Sequence, residues 1–231
     1  MKSSITENDI YLSLETVSGN LVNPTDPNIE SIDIKDIAWA LSRTPRFAGH
    51  TITAIPFNVA QHSVYVADLL EEVLKGDSEG RIDLSEIGNI DYDFYYKVFA
   101  DLPEILSAHP KEFLLKALLH DAHEAYIGDI PSPIKRIPEL NPIFKMMEMK
   151  LDNAIRIKYK IPELSNEEKD IIKLIDKLSQ AIEGYQFMPS RGRNWNLPQP
   201  SLLLLQRFPK PLSPRESYEQ FLNRFNDLIK G

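Results

Sequence analysis

Apolar side chains recur at helical spacing along most of this chain, and this period constrains its fold more than any other feature. Val59, Val66, Leu70 and Val73 are separated by seven, four and three positions, which places them on one face of an α-helix. Proline or glycine stands near the end of several such runs, where helices commonly stop. The sequence therefore predicts an all-α helical bundle. Its helical segments cover residues 31–44, 57–76, 111–127, 141–160, 166–188 and 214–229.

The segments between these helices indicate how the chain is organised. Residues 1–30 alternate short apolar groups with turn formers and predict an extended arm or small hairpin. Residues 31–188 are predicted to form the main domain, with an inserted lobe at 75–110 that is rich in acidic and aromatic residues. Residues 189–231 contain a proline-rich segment and a C-terminal helix, with Pro214 at its first position, which we expect to pack on the main domain.

The composition narrows the kinds of site that the chain can build. Because none of the 231 residues is cysteine, thiolate metal sites and cysteine nucleophiles are excluded, and a metal has to be bound by His, Asp or Glu. The net charge of −8 disfavours a long nucleic-acid partner but is compatible with a small anionic substrate held by a few local cations. No apolar run approaches the roughly 20 residues that span a bilayer, so we expect a cytoplasmic protein without membrane contact.

One polar cluster interrupts the apolar pattern of segment 111–127. His120 and Glu124 are four positions apart and Asp121 and Glu124 are three apart, so all three converge on one side of the predicted helix. An imidazole beside a carboxylate suits a divalent ion of intermediate hardness. A His-Asp pair by itself is more often a helix end with a solvated carboxylate, so its interpretation depends on further ligands.

Two other predicted helices offer such ligands. Asp176 borders the apolar face of segment 166–188, where a buried metal would compensate a desolvated carboxylate better than a salt bridge to Lys173 or Lys177. His62 lies inside another predicted helix, where a single histidine is more often a hydrogen-bonded core residue than a ligand. Ligands contributed by three helices are nevertheless a common way to build a metal site in a bundle.

The order His62, His120-Asp121, Asp176 reproduces the H…HD…D signature of the HD-domain metal-dependent phosphohydrolases, which this chain resembles. The similarity covers most of residues 15–188 and is greatest to bacterial and phage HD-domain nucleotide hydrolases, a group that includes 5'-nucleotidases. It implies an HD-domain helical bundle. The stretches that carry the resemblance are residues 46–50, 57–63 and 118–131.

The resemblance also implies a metal cofactor and a catalytic group. It implies that His62, His120, Asp121 and Asp176 bind one divalent ion, of Mn, Co, Mg, Fe, Ni or Zn, and leave positions for a phosphate oxygen and a water. It further implies that Glu124, which is not one of the four ligands, acts as general acid or base. The simpler explanation of Glu124 is an exposed residue near a helix end.

The candidates for substrate binding rest on the same resemblance. Arg46 and His50 precede the His62 helix and can supply positive charge for a phosphate, with Lys135 as a further cation. Arg46 can equally be a surface residue that pairs with an acidic neighbour such as Asp36.

Two carboxylates have both a functional and a simpler interpretation. Asp129 is expected to face the sugar of a nucleotide, although Gly-Asp before Ile-Pro is also ordinary turn chemistry. Glu183 lies two helical turns after Asp176 and is a candidate partner of a metal ligand or of a base. A solvated helix charge is the more common explanation for such a residue.

Three functions are compatible with these observations. The leading hypothesis is hydrolysis of a phosphate bond in small nucleotides, by a (deoxy)nucleoside 5'-monophosphate phosphatase or a (deoxy)nucleoside triphosphate phosphohydrolase. A cyclic-nucleotide or other phosphodiesterase is an alternative, but relatives with two metals usually carry additional histidines and this chain has five in all. The third hypothesis is a nucleotide-sensing or interaction module that retains the metal site. The expected partner is a small nucleotide, and the family suggests a homodimer.

Overall fold

The computed structural model describes residues 11–74, 109–193, 195, 197 and 210–230. This part of the chain contains eight α-helices and one two-stranded antiparallel sheet, so the predicted all-α fold is confirmed. The helices are α1 (Ile34–Leu41), α2 (Val59–Leu74), α3 (Pro110–Leu118), α4 (Glu124–Ile127), α5 (Ser132–Lys135), α6 (Asn141–Lys158), α7 (Asn166–Phe187) and α8 (Pro214–Ile229).

A small hairpin, formed by β1 (Leu14–Glu15) and β2 (Leu21–Val22), lies inside the predicted arm. Two side chains near its turn donate to the carboxylate of Asp36 in α1, Thr16 Oγ1 at 2.7 Å and Ser18 Oγ at 2.6 Å. Asp36 is buried, and a buried carboxylate is costly unless hydrogen bonds compensate it. These bonds therefore attach the hairpin firmly to the first helix.

Helix α2, which carries His62, packs against α3, α7 and α8. Most of its residues from Val59 to Leu70 are buried, because neighbouring helices cover several of its faces. Helix α8 also contacts α1 and α3, and its Phe221 and Phe225 are buried among them. The apolar face of α8 is therefore covered by its own chain, and α2 is held on several sides.

The prediction of one continuous helix over residues 111–127 is wrong. Helix α3 ends at Leu118 and the separate helix α4 begins at Glu124. In the turns between them, several backbone hydrogen bonds join residue i to i−3, as in the 3.0 Å bond from Ala122 N–H to the Leu119 carbonyl. Glu124 and His120 consequently belong to different elements rather than to successive turns of one helix.

The remaining helix ends agree with local sequence signals. Helix α7 begins with a capping box in which Ser165 and Glu168 bond reciprocally, and α8 begins with the same arrangement of Ser213 and Glu216. The predicted cap at Gly128 is confirmed, because this glycine has a φ of 78° and its N–H donates to the Glu124 carbonyl at 2.8 Å.

Some predictions fall outside the described residues. These include nearly all of the inserted lobe predicted at 75–110 and most of the proline-rich segment before residue 210. The division into arm, main domain and C-terminal part therefore stays a prediction. Among the helices of the described part, none combines the length and apolar character needed to cross a membrane.

Candidate functional site

Four side chains from three parts of the chain meet at one point. His62 comes from α2, His120 and Asp121 from the turns after α3, and Asp176 from α7. His62 Nε2 lies 3.3 Å from His120 Nε2, 3.2 Å from Asp176 Oδ1 and 3.4 Å from Asp121 Oδ2. His120 Nε2 lies 3.1 Å from Asp121 Oδ2. Two ring nitrogens and two carboxylate oxygens thus converge, as the sequence pattern predicted.

The spacing of these donor atoms fits one divalent cation. With metal–ligand distances of about 2.1 Å, neighbouring ligands of an octahedral ion are about 3.0 Å apart and opposite ligands about 4.2 Å apart. The donor-atom separations of 3.1–3.4 Å are close to the spacing of neighbouring ligands. The 4.0 Å between His120 Nε2 and Asp176 Oδ1 is close to the spacing of opposite ligands. His62, His120 and Asp176 can therefore bind one ion and leave further positions of an octahedron for other ligands. Asp121 Oδ2 lies within 3.4 Å of both histidine nitrogens and is a candidate for one of these positions.

Both histidines present Nε2 as the metal-binding atom. His120 Nδ1 lies 2.8 Å from the carbonyl oxygen of Ala117, and because a carbonyl only accepts, this Nδ1 carries the proton. His62 Nδ1 lies 2.6 Å from Glu183 Oε1 and donates to that carboxylate. Both Nε2 atoms consequently face the shared point, where each can bind a cation when its ring is neutral.

The end of α3 explains how two adjacent residues reach the same ion. In a regular α-helix, the Ala117 carbonyl would accept from the N–H of Asp121. Here it accepts from the N–H of His120 at 3.4 Å and from His120 Nδ1. Adjacent side chains of a regular helix diverge by about 100°, whereas these turns bring His120 and Asp121 together. The break in the helix is thus part of the metal site.

Glu183 is fully buried, and the expectation that it is a solvated helix charge is wrong. Its Oε1 accepts from His62 Nδ1 and, at 2.8 Å, from Ser179 Oγ, while its Oε2 accepts from Arg46 Nε at 2.7 Å. Burial by itself raises the pKa of Glu183, but attraction by Arg46 and His62 outweighs it and lowers this pKa below its usual value. Glu183 therefore stays charged and orients His62.

Arg46 is also buried, so its interpretation as a surface arginine paired with Asp36 is wrong. Its Nε donates to Glu183, and its Nη1 lies 3.9 Å from Asp121 Oδ2. Burial lowers the pKa of Arg46, but the neighbouring carboxylates Glu183 and Asp176 outweigh this effect and raise it. A permanently charged guanidinium thus lies beside the candidate metal site.

Glu124 lies close to this site and is 4% exposed. Its Oε2 has no hydrogen-bond partner within the described part of the chain, and its Oε1 lies 3.7 Å from Lys135 Nζ. Burial and the charges of Asp121 and Asp129 raise the pKa of Glu124 well above its usual value. Burial and the neighbouring carboxylates therefore favour the protonated form of this side chain.

His123, for which the sequence suggested no role, turns towards α6. Its Nδ1 lies 2.9 Å from Asp152 Oδ1, and its Nε2 lies 3.9 Å from Glu148 Oε1. Burial lowers the pKa of His123, but the hydrogen bond and charge of Asp152 outweigh it and raise the pKa to about 9. His123 therefore forms an ion pair that links the metal-binding turn to α6.

A cavity of about 710 Å³ opens beside the metal ligands and is lined by Asp121, Asp176 and Glu124. Its wall contains cationic groups as well as carboxylates, and Lys135 Nζ is held 2.7 Å from Glu148 Oε1. The structure thus brings every candidate substrate-binding residue to one cavity, while their contacts with a substrate stay a prediction. These candidates are Arg46, His50, Asp129 and Lys135.

Sequence analysis did not identify the aromatic part of this cavity. Phe47 and Trp195 line it together with Gln180. Trp195 follows α7 in a segment without helical period, so its neighbours depend on the path of the chain rather than on a local pattern. Gly184 was the one sequence feature that pointed to this contact, because a glycine inside a helix often marks the close approach of another group.

Comparisons with known proteins identify a family and two relatives that this chain resembles. The chain matches the family model described as 5'-deoxynucleotidase YfbR-like over residues 101–196. It is 31% identical over 217 residues to the uncharacterized protein YfdR of Escherichia coli K12, a match that covers 93% of this chain and 94% of that protein. It is also 26% identical over 171 residues to an uncharacterized protein of Rhodobacter capsulatus, covering 74% of this chain and 70% of that protein. The chain therefore belongs to the HD-domain family of metal-dependent phosphohydrolases.

Proposed function

We propose that this chain is a metal-dependent 5'-nucleotidase that converts (deoxy)nucleoside 5'-monophosphates to nucleosides and inorganic phosphate. The description of the matched family model as a 5'-deoxynucleotidase supports this choice among phosphate-bond hydrolases. The observation that carries the proposal is the lining of the cavity. It includes two of the candidate metal ligands, Asp121 and Asp176, the buried acid Glu124 and the cations Arg46 and Lys135. With about 710 Å³ the cavity also has room for a sugar and a base.

The cations of the cavity have a defined task in this proposal. A divalent ion on the four ligands acts as a Lewis acid towards a phosphate oxygen and lowers the pKa of a water. Arg46 and Lys135 attract the dianionic phosphate to a protein whose net charge is −8. Because Glu183 fixes the Nε end of Arg46, the guanidinium needs little reordering when the phosphate arrives. Mn, Co and Mg are the ions we expect to support activity.

Glu124 is the proton donor in this proposal. When water attacks phosphorus, the bond between phosphorus and the 5'-oxygen breaks and its electron pair goes to that oxygen. Glu124 transfers its proton to the leaving oxygen, which yields a nucleoside with a free 5'-hydroxyl group. The burial of Glu124, its raised pKa and its unpartnered Oε2 within the described residues support this role.

A phosphate-release assay tests the proposed function. The purified protein is freed of metal with a chelator, supplied with Mn, Co or Mg, and given the 5'-mono-, di- and triphosphates of each base. We expect inorganic phosphate from 5'-monophosphates and none from the Asp176→Asn variant, because that variant loses a ligand carboxylate. Asp170→Asn is the matched control, since Asp170 is exposed on the same helix, and it should remain active.

Other outcomes of the same assay would contradict the proposal in different ways. Release of pyrophosphate or triphosphate from nucleoside triphosphates would identify a triphosphate phosphohydrolase. Hydrolysis of cyclic nucleotides alone would identify a phosphodiesterase. A protein that binds metal but hydrolyses none of these compounds would be a sensing or interaction module.

A further inference from the structure

Two aromatic rings share the cavity with the metal ligands. The centroids of Phe47 and Trp195 lie 5.4 Å apart with an angle of 31° between the ring planes, and both residues line the cavity beside Asp121 and Asp176. Both side chains are partly exposed. A partly exposed aromatic surface in a cavity that also contains charged groups is suited to a flat apolar group of the ligand.

Trp195 is held against the backbone of α7. A Cβ atom at Gly184 would lie 2.5 Å from Trp195 Cζ3 and 2.9 Å from Cε3, which is closer than side chains approach each other. Only glycine leaves room for the indole at this position of the helix. The N–H of Trp195 also donates to the carbonyl of Gly192 at 2.9 Å, and Gly192 has a positive φ of 69°. The chain thus turns back after α7 and places the indole on the helix.

Phe47 is held in a backbone conformation that side chains rarely adopt. Its φ is 56° and its ψ is 32°, in the left-handed region, which is unfavourable for a bulky residue. Flanking hydrogen bonds maintain this turn, from Arg46 N–H to the Phe57 carbonyl at 2.9 Å and from His50 N–H to the Phe47 carbonyl at 3.0 Å. Such conformations concentrate at binding sites, and this one brings the phenyl ring beside Trp195.

We propose that Trp195 and Phe47 form the subsite for the nucleobase, which stacks on their rings while the phosphate is bound at the metal. This inference rests on the proposed function and adds how the substrate is recognised. Because every base has a π-face, stacking tolerates different bases. The enzyme should consequently accept both purine and pyrimidine nucleotides and depend on the aromatic surface for affinity.

Kinetic measurements on Trp195→Ala test this subsite. We expect the KM for 2'-deoxycytidine 5'-monophosphate to rise by roughly tenfold or more, the value of one lost base stack. The inhibition constant of inorganic phosphate, which needs only the metal end of the cavity, should stay as in the wild type. Trp195→Phe should retain most of the affinity. An unchanged KM in Trp195→Ala, or an equal loss for the nucleotide and inorganic phosphate, would overturn the proposal.

A second variant acts on the subsite without removing an aromatic ring. Gly184→Ala places a methyl group where the indole lies, so Trp195 has to move and the KM for the nucleotide should rise as in Trp195→Ala. Thermal unfolding checks that both variants are folded. If Gly184→Ala is folded and has the wild-type KM, the position of the indole on α7 does not matter for binding.

Fluorescence provides a readout that does not depend on turnover. The chain has two tryptophans, and Trp39 packs against Tyr218 in another part of the fold, so Trp39→Phe leaves Trp195 as the only tryptophan. In the Trp39→Phe/Glu124→Gln protein, 2'-deoxycytidine 5'-monophosphate should change the emission, whereas deoxyribose 5-phosphate should not. The same response to both compounds would contradict base stacking. Failure of the wild type to hydrolyse any nucleotide would contradict the proposed function, whatever the fluorescence shows.

Discussion

Glu183 Oε1 accepts a 2.6 Å hydrogen bond from Nδ1 of His62, and both residues are fully buried. Glu183 also accepts from Ser179 and Arg46, so its carboxylate cannot turn away without breaking several bonds. The bond keeps Nε2 of His62 directed at the other ligands. We therefore expect metal affinity to depend on Glu183, which is not itself one of the candidate ligands.

Replacement of Glu183 by alanine should weaken divalent metal binding by about 10- to 100-fold, because His62 loses the acceptor that sets its tautomer and orientation. Glu183→Gln should lose less, since its amide oxygen still accepts from Nδ1. Calorimetric titration of the metal-free proteins with Mn²⁺ measures both effects. Asp170→Asn, an exposed change on the same helix, is the control. A folded Glu183→Ala protein with wild-type Mn²⁺ affinity would show that His62 needs no such support.

Glu124→Gln should retain metal and lose about 100- to 10,000-fold in kcat, the usual contribution of general acid or base catalysis. Glutamine has nearly the same shape but no acidic proton to transfer. The kcat for the best nucleotide and the Mn²⁺ affinity are the two measurements. Glu139→Gln, an exposed change outside the cavity lining, is the control. Loss of metal together with activity would instead identify Glu124 as a ligand.

Asn58 connects the start of α2 to α8. Its Oδ1 accepts from the N–H of Gln61 at 3.0 Å, its Nδ2 donates to Ser217 Oγ at 2.8 Å, and the side chains of Asn58 and Ser217 are buried. Asn58→Ala should lower the free energy of unfolding by about 1–3 kcal/mol, because it removes both hydrogen bonds. Ser217→Ala removes one of them and should cost about 1 kcal/mol. Urea unfolding measures the free energy of unfolding of both variants. Equal losses in Asn58→Ala and Ser217→Ala would show that the bond to Gln61 contributes nothing.

The ion pair of His123 and Asp152 should make stability depend on pH. Folding raises the pKa of His123 from 6.5 to about 9 against the opposing effect of burial, so the folded state favours the protonated ring. The stabilising contribution is therefore complete below about pH 6.5 and is lost as the pH rises through about 9. Thermal unfolding of metal-free protein should show this loss in the wild type and much less of it in Asp152→Asn. Identical pH dependence of the two proteins would contradict the assignment.

Several features of this protein could be predicted from local sequence patterns. Helix α7 was predicted at 166–188 and extends over Asn166–Phe187, because its apolar period and its capping residues lie within the same stretch of chain. The candidate metal ligands could be singled out because the H…HD…D order of residue types resembles that of a known family. The convergence of His62, His120 and Asp176 then followed from their placement on separate helices of one bundle.

The sequence by itself thus determined most of the helices, since these depend on short-range spacing, and its resemblance to a known family singled out the candidate metal ligands and Glu124. Only the tertiary structure decided that the helix after Leu118 breaks, that Glu183 is buried against His62, and that Trp195 lies on Gly184. Each of these depends on contacts that a local pattern cannot contain, and the bond between His62 and Glu183 joins residues 121 positions apart. A carboxylate at the border of an apolar helix face has the same sequence pattern whether it faces water or a buried imidazole. For Glu183, the packing of α7 on α2 places it against the imidazole of His62.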